Sequence, residues 1–460
     1  MLDQSKTQTI FNRIKKFTTV DEVEVIFSST DYSLTRFANN TIHQNVAELN
    51  ELASIRVAFD GKTARATTNR FDDEGLKRAV QSAESIARVQ EPNSDLLPMA
   101  GPSDAGQGGP APTRWFDQTA AITPADRAQA VGQIVSVAKK NSLTTAGIYS
   151  SGESTDAILN SKGLNVFHRQ TSAEVSITML AEDSSGWQKS NSPDVQQIEH
   201  LKLAEVAAQK ARDSRKPQEL SPGKYTVVLE PAAVLDLVGF MFWDFGGMAI
   251  LDQRSFLNNR IGAKLFGDNI TIVDDVDHPL QSGAPFDGEG IRRKKITLVD
   301  KGTVKNLVYA RSTAVKMRQS EFAGKVGEIQ VTGHGFPLPN EMGEAPANIV
   351  FLTSGGEQTT EQMIGGTEHG ILVTRLWYIR EVDPYEKILT GMTRDGTFLI
   401  EGGKVKSGIR NFRFNQSLIE MLSGVEAIGR PVRASGEEAF DMVAPAMKVR
   451  GFNFTEVTKF

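Results

Sequence analysis

The sequence predicts an α+β fold in which two small α/β units precede a large, mainly antiparallel β domain. Two observations lead to this prediction. In the first half of the chain, alternating apolar residues precede stretches with helical periodicity, which is typical of small α/β units. From Pro222 onward, 29 of the 40 glycines separate many short strand-like runs, and turn signals at such intervals favour antiparallel sheets.

The first unit is predicted at residues 1–91. The run VEVIFSS and the alternation of Ile55, Val57 and Phe59 indicate strands, because alternate residues of a strand point to the same face. A helix is predicted from about Asp73, since five of the apolar residues that follow share one helical face. These residues are Leu76, Ala79, Val80, Ala83 and Ala87.

Residues 92–113 are predicted to form a linker or a long surface loop. The segment contains five prolines and four glycines and has no periodic apolar set that a core could bury. The second unit is then expected at 114–217. Thr123 provides a capping hydroxyl before Pro124, which indicates a helix, and a second helix is expected to end before Pro217.

The third domain is predicted at 218–460. Its strand-like runs include YTVVL, KKITLVD, NLVYA, NIVFL, ILVTRLWYI and TFLIEGGKV. One segment departs from this pattern: after Glu230-Pro231, four apolar residues fall at helical spacing and indicate a helix within the β domain. These four residues are Val234, Leu237, Val238 and Met241.

Charge and composition argue against several classes of protein. The net charge of −5 gives no basis for binding a phosphate backbone, so no nucleic-acid partner is expected. The most apolar run, Ala232 to Trp243, is about half as long as a membrane span and contains Asp236, so no membrane segment is expected. The chain has no cysteine, which excludes disulfides and thiolate chemistry and fits a cytoplasmic location.

The histidines give no contiguous metal-binding motif. The chain contains six of them: His43, His168, His200, His278, His334 and His369. The two closest in sequence are 32 residues apart, so no pair shares a helical face, and no metal ligand is assigned. A composite site assembled from distant segments stays open as an alternative. His369 is singled out because the neighbouring Glu368 could orient its ring.

The remaining motifs assign no catalytic residue. The run Gly152 to Asp156 lacks the closing glycine of a hydrolase nucleophile elbow. The FDGEG stretch, Phe286 to Gly290, places two carboxylates two residues apart, which is compatible with general acid-base chemistry. Acidic, glycine-rich stretches before a strand are more typical of turns.

Two segments together resemble a known family. The first is LEPAAVLDLVGFMFWDFGGMAILDQRSFLNNRIGAKLFGDNITIVDD, and the second is APFDGEGIRRKKITLVDKGTVKNLVYARSTAVKM. In order and spacing they are similar to the core of the TldD/PmbA metallopeptidase family, where a helix and its loop lead to an FDxEG stretch, a β-hairpin and another helix. The resemblance covers nearly the whole chain and is weakest in the linker and at the two ends.

The resemblance implies a division of labour between two kinds of subunit. TldD-type chains carry an HExxxH helix whose histidines bind zinc together with a later cysteine, whereas TldE/PmbA-type partners lack these ligands. The equivalent helix here is expected from Ala232 to Gly247, which contains no histidine. The chain is therefore identified as TldE/PmbA-type, with zinc expected in a TldD-like catalytic partner rather than in this chain. A homodimer is the alternative expected when the chain is alone.

The function implied is that of one subunit of a heteromeric zinc metallopeptidase, which shapes the groove for an unfolded or modified peptide. The candidate groove or interface residues are Phe240, Phe242, Trp243 and His369, and core packing is the alternative for the aromatic residues. The family signature expected to be structural comprises Phe286, Asp287, Glu289 and Gly290. Two other functions stay open: a self-sufficient homodimeric peptidase with a composite metal site, and a non-enzymatic scaffold for peptide binding or maturation.

Overall fold

The computed structural model describes residues 1–106 and 112–458, and it confirms the predicted α+β class. Three sheets organise the described part of the chain: a six-stranded sheet in the N-terminal half, and a six-stranded and a seven-stranded sheet in the C-terminal half. Residues 107–111 of the predicted linker lie outside the described residues. No helix in the described ranges is long and apolar enough to cross a bilayer.

The N-terminal sheet joins strands from both predicted α/β units. Its strands are β1 (Glu22–Ala38), β2 (Thr41–Phe59), β3 (Lys62–Thr68), β4 (Thr144–Asn160), β5 (Asn165–Leu180) and β6 (Ser185–Ser192). They lie in the order β3-β2-β1-β4-β5-β6, and every neighbouring pair is antiparallel. The pairing of β1 with β4 makes one sheet out of strands on either side of residues 92–113. The division into two domains at that segment stays a prediction.

Helices cover this sheet in two groups. In the described ranges they are α1 (Gln4–Phe17), α2 (Asp73–Val89), α3 (Asp117–Ala120), α4 (Pro124–Lys140) and α5 (His200–Asp213). The helix α2 begins where the sequence predicts, because the side chain of Asp72 accepts a hydrogen bond from the N–H of Gly75. Its five predicted apolar residues are all buried. One apolar core forms under α1 and α2, and a second forms under α4 and α5.

The C-terminal half contains a closed ring of strands. Its strands in chain order are β7 (Gly223–Leu229), β8 (Thr271–Asp274), β9 (Ile296–Asp300), β10 (Thr303–Val304), β11 (Ile349–Leu352), β12 (His369–Asp383), β13 (Ile388–Glu401), β14 (Lys404–Gly408), β15 (Phe412–Ser417), β16 (Val425–Ile428), β17 (Val432–Ala434), β18 (Met442–Ala444) and β19 (Met447–Val457). The larger sheet runs β12-β7-β19-β15-β13-β14, and β12 also pairs with β13. This extra pairing closes five strands into a barrel, and closure protects their edges.

A small sheet and a helix pack against this barrel. The small sheet has the order β10-β9-β8-β11-β18-β17. The C-terminal helices in the described part are α6 (Pro231–Val238), α7 (Gly247–Leu251), α8 (Arg311–Gln319), α9 (Thr360–Gly365) and α10 (Leu418–Ser423). The helix α6 confirms the helix predicted after Glu230-Pro231, and it contacts β12 of the barrel and β17 and β18 of the small sheet. One large apolar core contains residues of all three.

The described residues that precede position 107 are fixed against both halves of the molecule. The side-chain amide of Asn160 donates to Ala100 O at 2.7 Å, and Arg311 Nη1 donates to Pro98 O at 2.9 Å. Ala100 also belongs to a small apolar cluster between the halves, together with Ile158, Leu164, Phe286 and Ile291. The end of the N-terminal sheet is therefore held directly against the C-terminal domain.

A buried ion pair provides a test of the N-terminal sheet. Glu24 on β1 is 1% exposed and accepts hydrogen bonds from Arg56 Nε at 3.0 Å, Arg56 Nη2 at 2.9 Å and Arg65 Nη2 at 2.7 Å. We expect Glu24→Ala to destabilise this half by about 3–5 kcal/mol, because Arg56 would stay buried without its partner. Calorimetry should show a lower melting temperature at neutral pH.

The charge state of Glu24 sets the pH range of this effect. Burial alone would raise the pKa of Glu24, but the guanidiniums of Arg56 and Arg65 outweigh it, so the pKa is lowered. Its stabilising contribution is therefore present at neutral pH and is lost as the pH falls through the lowered pKa. Lys202→Ala, at an exposed pair with Glu199, is the control and should melt like the wild type. A Glu24→Ala protein that also melts like the wild type would refute the prediction.

Candidate functional site

In the segment between β7 and β8, some aromatic side chains point into the core and others point toward solvent. The helix α6 ends at Val238, a 3₁₀ stretch spans Gly239–Phe245, and α7 begins at Gly247. The helix expected from Ala232 to Gly247 is thus interrupted. A 3₁₀-helix has three residues per turn, so side chains three positions apart lie on the same side.

The four aromatic residues of this stretch alternate between these two environments. Phe242 and Phe245 are buried, and their ring centroids lie 6.2 Å apart in the core. On the other side, Phe240 is half-buried and Trp243 is 48% exposed. Of the three aromatic residues predicted for a groove or interface, the structure therefore places Phe242 in the core and leaves the other two accessible.

Phe240 and Trp243 line a cleft of about 610 Å³. The other walls come from the end of the β12–β13 hairpin and from residues 437–440, and part of the floor comes from α7. The remaining lining residues are Gly239, Asp244, Ala249, Arg254, Glu381, Lys387, Glu437, Glu438, Ala439 and Phe440. The volume is within the usual range for ligand-binding pockets.

A buried lysine joins the cleft floor to the barrel. Lys387 lies in the turn immediately before β13, and its Nζ is 2.6 Å from Asp244 Oδ2 and 2.5 Å from Glu381 Oε1. Asp244 also accepts a hydrogen bond from the N–H of Phe256 at 3.0 Å. Burial raises the pKa of Asp244, and the charge of Lys387 opposes that rise. Both ends of the ion pair are thus held within the fold.

A second buried carboxylate, Asp236, anchors another wall of the cleft. The wall belongs to residues 435–441, which we call the strap. Asp236 on α6 is fully buried, and its Oδ1 accepts hydrogen bonds from the N–H groups of Glu437 at 3.1 Å and Glu438 at 2.9 Å. Gly436 packs so closely that an added Cβ would lie 2.1 Å from Asp236 Oδ1.

The protonation of Asp236 depends mainly on its burial. Its Oδ2 is buried and has no hydrogen-bond partner among the described residues. Burial raises the pKa of Asp236 to about 7, whereas the two strap N–H groups oppose the rise. The carboxyl group therefore carries a proton over much of the acidic range while it holds the strap.

Exposed aromatic side chains surround the cleft. Trp243 packs against Phe336 with ring centroids 5.6 Å apart and the ring planes tilted by 31°, and Phe440 is 38% exposed on the strap. On the β12–β13 hairpin, Tyr378 and Tyr385 are about half exposed. Exposed apolar patches of this kind mark interaction sites on folded proteins.

His369 lies far from this cleft. It is the first residue of β12, whereas the cleft residue Glu381 lies near the other end of the same strand. Twelve residues of strand correspond to roughly 35–40 Å at about 3.3 Å per residue. The ring of His369 lies near Tyr225, and its Nδ1 is 3.9 Å from Glu401 Oε1, so the structure does not bring it together with Phe240 and Trp243.

The FDGEG stretch forms a tightly bonded loop between the halves of the molecule. Asp287 Oδ1 accepts hydrogen bonds from the N–H groups of Glu289 at 2.9 Å and Ile291 at 3.0 Å, and its Oδ2 accepts one from Gly335 at 2.8 Å. Phe286 is buried in the cluster between the halves. Gly290 has a φ of +80° and leaves no space for a Cβ beside Leu164, 2.5 Å away. These contacts favour the structural interpretation of the stretch.

The second carboxylate of this loop has an unusual protonation equilibrium. Burial and the charge of Asp287 raise the pKa of Glu289 to about 7, and Arg311 opposes the rise. Arg311 Nη1 lies 3.5 Å from Glu289 Oε2. Glu289 is buried, and its Oε1 also lies 3.4 Å from the backbone N of Arg311.

The described residues do not fit a resident zinc ion. Over the ranges 1–106 and 112–458, no three His, Asp, Glu or Cys side chains are grouped as metal ligands. His334 is fully buried, with Nε2 at 3.1 Å from Asp274 Oδ1 and Nδ1 at 3.0 Å from Thr332 Oγ1, and its ring is thus engaged within the fold.

Sequence reasoning missed the residues that complete the cleft. Glu381 and Lys387 flank the hairpin turn, and Glu437, Glu438 and Phe440 lie on the strap. They are separated from Trp243 by more than a hundred residues, so only the strand pairing brings them together. The one local feature that could have indicated these residues is the acidic pair in SGEEAFD. Charged pairs of this kind are common in surface loops and do not by themselves predict a binding site.

Comparison with protein families gives three matches. A model described as the PmbA/TldA metallopeptidase C-terminal domain matches residues 222–456, just over half of the chain. The models for domain 1 and for the central domain of the same metallopeptidases match residues 23–87 and 119–215.

Several relatives are similar over part of their length. An uncharacterized protein of Methanocaldococcus jannaschii is 26% identical over 265 residues, which cover 55% of this chain and 59% of the relative. A protein named metalloprotease from Methanothermobacter thermautotrophicus is 21% identical over 309 residues, which cover 63% of each chain. The matched part thus spans less than two thirds of the length of these relatives.

Solved structures show the same fold. TldE from Thermococcus kodakarensis superposes with a TM-score of 0.84 at 20% identity, over 98% of this chain and 100% of that one. A candidate modulator of a DNA gyrase from Thermotoga maritima superposes with a TM-score of 0.83 at 18% identity, with coverage of 98% and 100%.

The raised pKa of Asp236 predicts a pH-dependent stability. The folded protein keeps this proton up to about pH 7, whereas the unfolded chain loses it near the ordinary value of 3.8. Stability should therefore fall as the pH rises between these two values. Asp236→Asn cannot titrate, so its melting temperature should fall less than that of the wild type between pH 5 and 7.5. Glu289→Gln is a parallel variant with the same expected direction, and an undiminished fall in both would contradict the assignment.

Proposed function

Because the chain belongs to the PmbA/TldA metallopeptidase family, we propose that it is a TldE/PmbA-like subunit of a heteromeric zinc peptidase and holds an unfolded peptide for a partner chain. In this proposal the partner is a TldD-like chain that carries the zinc. The absence of cysteine supports a reducing compartment, so we place the complex in the cytoplasm.

One observation carries the proposal. The stretch that resembles the family's zinc helix holds aromatic and apolar side chains from Phe240 to Trp243, and two of them open into a cleft. A segment that binds zinc needs His, Cys or carboxylate side chains on one side. Here the single carboxylate of the 3₁₀ stretch, Asp244, is bound to Lys387 and to the backbone. These contacts support a role in binding rather than in catalysis.

The surface around the cleft supports a peptide as the ligand. Aromatic side chains bind the apolar side chains that an unfolded segment exposes and a folded protein buries. The charged groups of the cleft lie at fixed positions, since Lys387 is buried between two carboxylates and Glu438 accepts a hydrogen bond from Tyr378 N at 2.6 Å. A peptide can therefore bind by its apolar side chains and orient its polar groups against a rigid wall.

Catalysis in this proposal occurs on the partner. Zinc held there would activate water for attack on the peptide carbonyl. The contribution of this chain is to position the peptide, which lowers the entropic cost of bringing the scissile bond to the reactive group.

Reconstitution tests the division of labour. We expect peptidase activity on an unstructured peptide when this chain is co-expressed with a TldD-type chain that contains an HExxxH helix, and none with either chain alone. Trp243→Ala in the complex should lower kcat/KM by about tenfold, because an aromatic side chain that a bound peptide covers typically contributes more than 1 kcal/mol to binding. Leu201→Ala, at an exposed apolar residue of α5, is the matched control and should retain activity. Full activity of this chain alone would overturn the proposal.

Metal analysis tests the rival function. Purified alone and loaded with equimolar zinc, this chain should retain well below one ion per chain after dialysis. His369→Ala should leave that content unchanged, because His369 is exposed and the described residues do not group it with two further metal ligands. Stoichiometric zinc that is lost in His369→Ala would instead support a self-sufficient peptidase with a composite site.

A further inference from the structure

A second pocket lies on the side of the N-terminal sheet opposite to the helices α4 and α5. On β5, Val175 and Ile177 point into the core under these helices. Ser172 and Glu174 alternate with them and line a pocket of about 350 Å³, a volume that suits a small ligand. The residues of the C-terminal half that also line this pocket are Ser282, Arg433 and Asp441. The pocket shares no lining residue with the cleft beside Trp243.

The charged side chains that line this pocket are not balanced. They comprise two carboxylates, Glu174 and Asp441, and one guanidinium, Arg433. Arg433 Nη2 donates to Asp441 Oδ2 at 3.2 Å, so the guanidinium is paired with one of the two carboxylates. Lys189 divides its charge, since its Nζ lies 3.4 Å from Glu174 Oε2 and 3.8 Å from Glu437 Oε1. Among the described residues, Glu174 therefore shares its ion-pair partner with a second carboxylate.

The protonation equilibrium of Glu174 reflects this shortage of positive charge. Burial raises the pKa of Glu174, the charge of Lys189 opposes the rise, and the charge of Asp441 adds to it. A further positive charge in the pocket would stabilise the ionised form of Glu174. The same charge would offset the repulsion between the carboxylates of Glu174 and Asp441.

A buried hydroxyl group lies next to Glu174. Ser150 on β4 is directly opposite Glu174 in the antiparallel ladder, and directly opposed side chains are close neighbours on one face of a sheet. Ser150 is 5% exposed and lines the pocket, and its Oγ has no hydrogen-bond partner among the described residues. Buried polar groups without a partner are uncommon in folded proteins. A polar ligand atom beside Ser150 would supply the missing partner.

We propose that this pocket binds the free amino end of a short peptide. The ammonium group binds the carboxylate of Glu174, and the first carbonyl oxygen accepts a hydrogen bond from the Ser150 hydroxyl. Only the Cα and the carbonyl carbon separate these two groups of the ligand, which matches the neighbouring positions of Glu174 and Ser150 on the sheet. Hydrogen bonds between an ammonium group and a carboxylate are stronger than those between neutral groups. The proposal does not depend on the peptidase role, since the pocket and the cleft are separate.

Calorimetric titration of the purified chain tests the nature of the ligand. At about pH 7, where a free α-amino group is mostly charged, glycylglycine should bind saturably to one site per chain. Glycolylglycine, in which a hydroxyl group replaces the amino group, should bind about tenfold more weakly or worse, because it lacks the positive charge that Glu174 attracts. Two carboxylates could also attract a divalent cation, so the titration is repeated in excess Ca²⁺, which should leave the affinity for glycylglycine unchanged.

Substitutions test the position of the site. Glu174→Gln should weaken glycylglycine binding by about tenfold or more, and Ser150→Ala by about threefold or more, since each removes one of the two contacts. Both variants should retain the wild-type circular dichroism spectrum. Glu205→Gln, at an exposed carboxylate of α5, is the matched control and should bind glycylglycine like the wild type.

Trp243→Ala separates this pocket from the cleft and should also bind glycylglycine like the wild type. Four results would each overturn the proposal: no saturable binding, equally tight binding of glycolylglycine, displacement of glycylglycine by Ca²⁺, or wild-type affinity in Glu174→Gln or Ser150→Ala. Loss of glycylglycine binding in Trp243→Ala would overturn it as well, because the ligand would then occupy the cleft.

Discussion

Pairing between β12 and β13 is the constraint on which the C-terminal domain depends. It closes five strands into a barrel and fixes the end of the hairpin, where Glu381 and Lys387 lie. Lys387 then reaches Asp244 at 2.6 Å and ties the barrel to the 3₁₀ stretch. The accessible positions of Phe240 and Trp243 follow from this attachment, because the same stretch must also bury Phe242 and Phe245 in the core.

Buried carboxylates hold the loops that surround the barrel. Asp236 accepts hydrogen bonds from two N–H groups of the strap, and Asp287 accepts three within and beside the FDGEG stretch. Through these hydrogen bonds each carboxylate fixes its loop in one position, although Asp236 Oδ2 has no partner among the described residues and burial raises the pKa of this group. The acidic stretch that could have been a general acid-base pair in sequence is therefore engaged by backbone groups in the structure.

The fold could be predicted where short-range patterns determine structure. The cap at Thr123, the periodicity after Asp73 and the apolar spacing after Glu230-Pro231 each identified a real helix. The 3₁₀ winding of Gly239–Phe245 could not be predicted in this way, because helical spacing allows a continuous helix there and packing against the barrel decides otherwise.

Only part of the candidate site could be predicted from the sequence, because several of its residues are far apart along the chain. Phe240 and Trp243 are adjacent in the chain to a motif that could be recognised, whereas the hairpin and strap residues reach the cleft through strand pairing over more than a hundred residues. His369 was a candidate because Glu368 is its neighbour in sequence. It lies at the start of β12, at the end of the barrel far from the cleft. Local sequence could not show which of these residues lie at the cleft and which lie far from it.

In the function we propose, the cleft beside Trp243 binds an unfolded peptide that a partner chain cleaves. Photo-crosslinking tests this claim most directly: an unstructured peptide with a photoreactive apolar residue is irradiated with the purified chain, and the adducts are mapped by mass spectrometry. We expect adducts concentrated on the 3₁₀ stretch and the strap, no cleavage of the peptide, and loss of these adducts in Trp243→Ala. Adducts spread over the surface, or unchanged by that substitution, would contradict it.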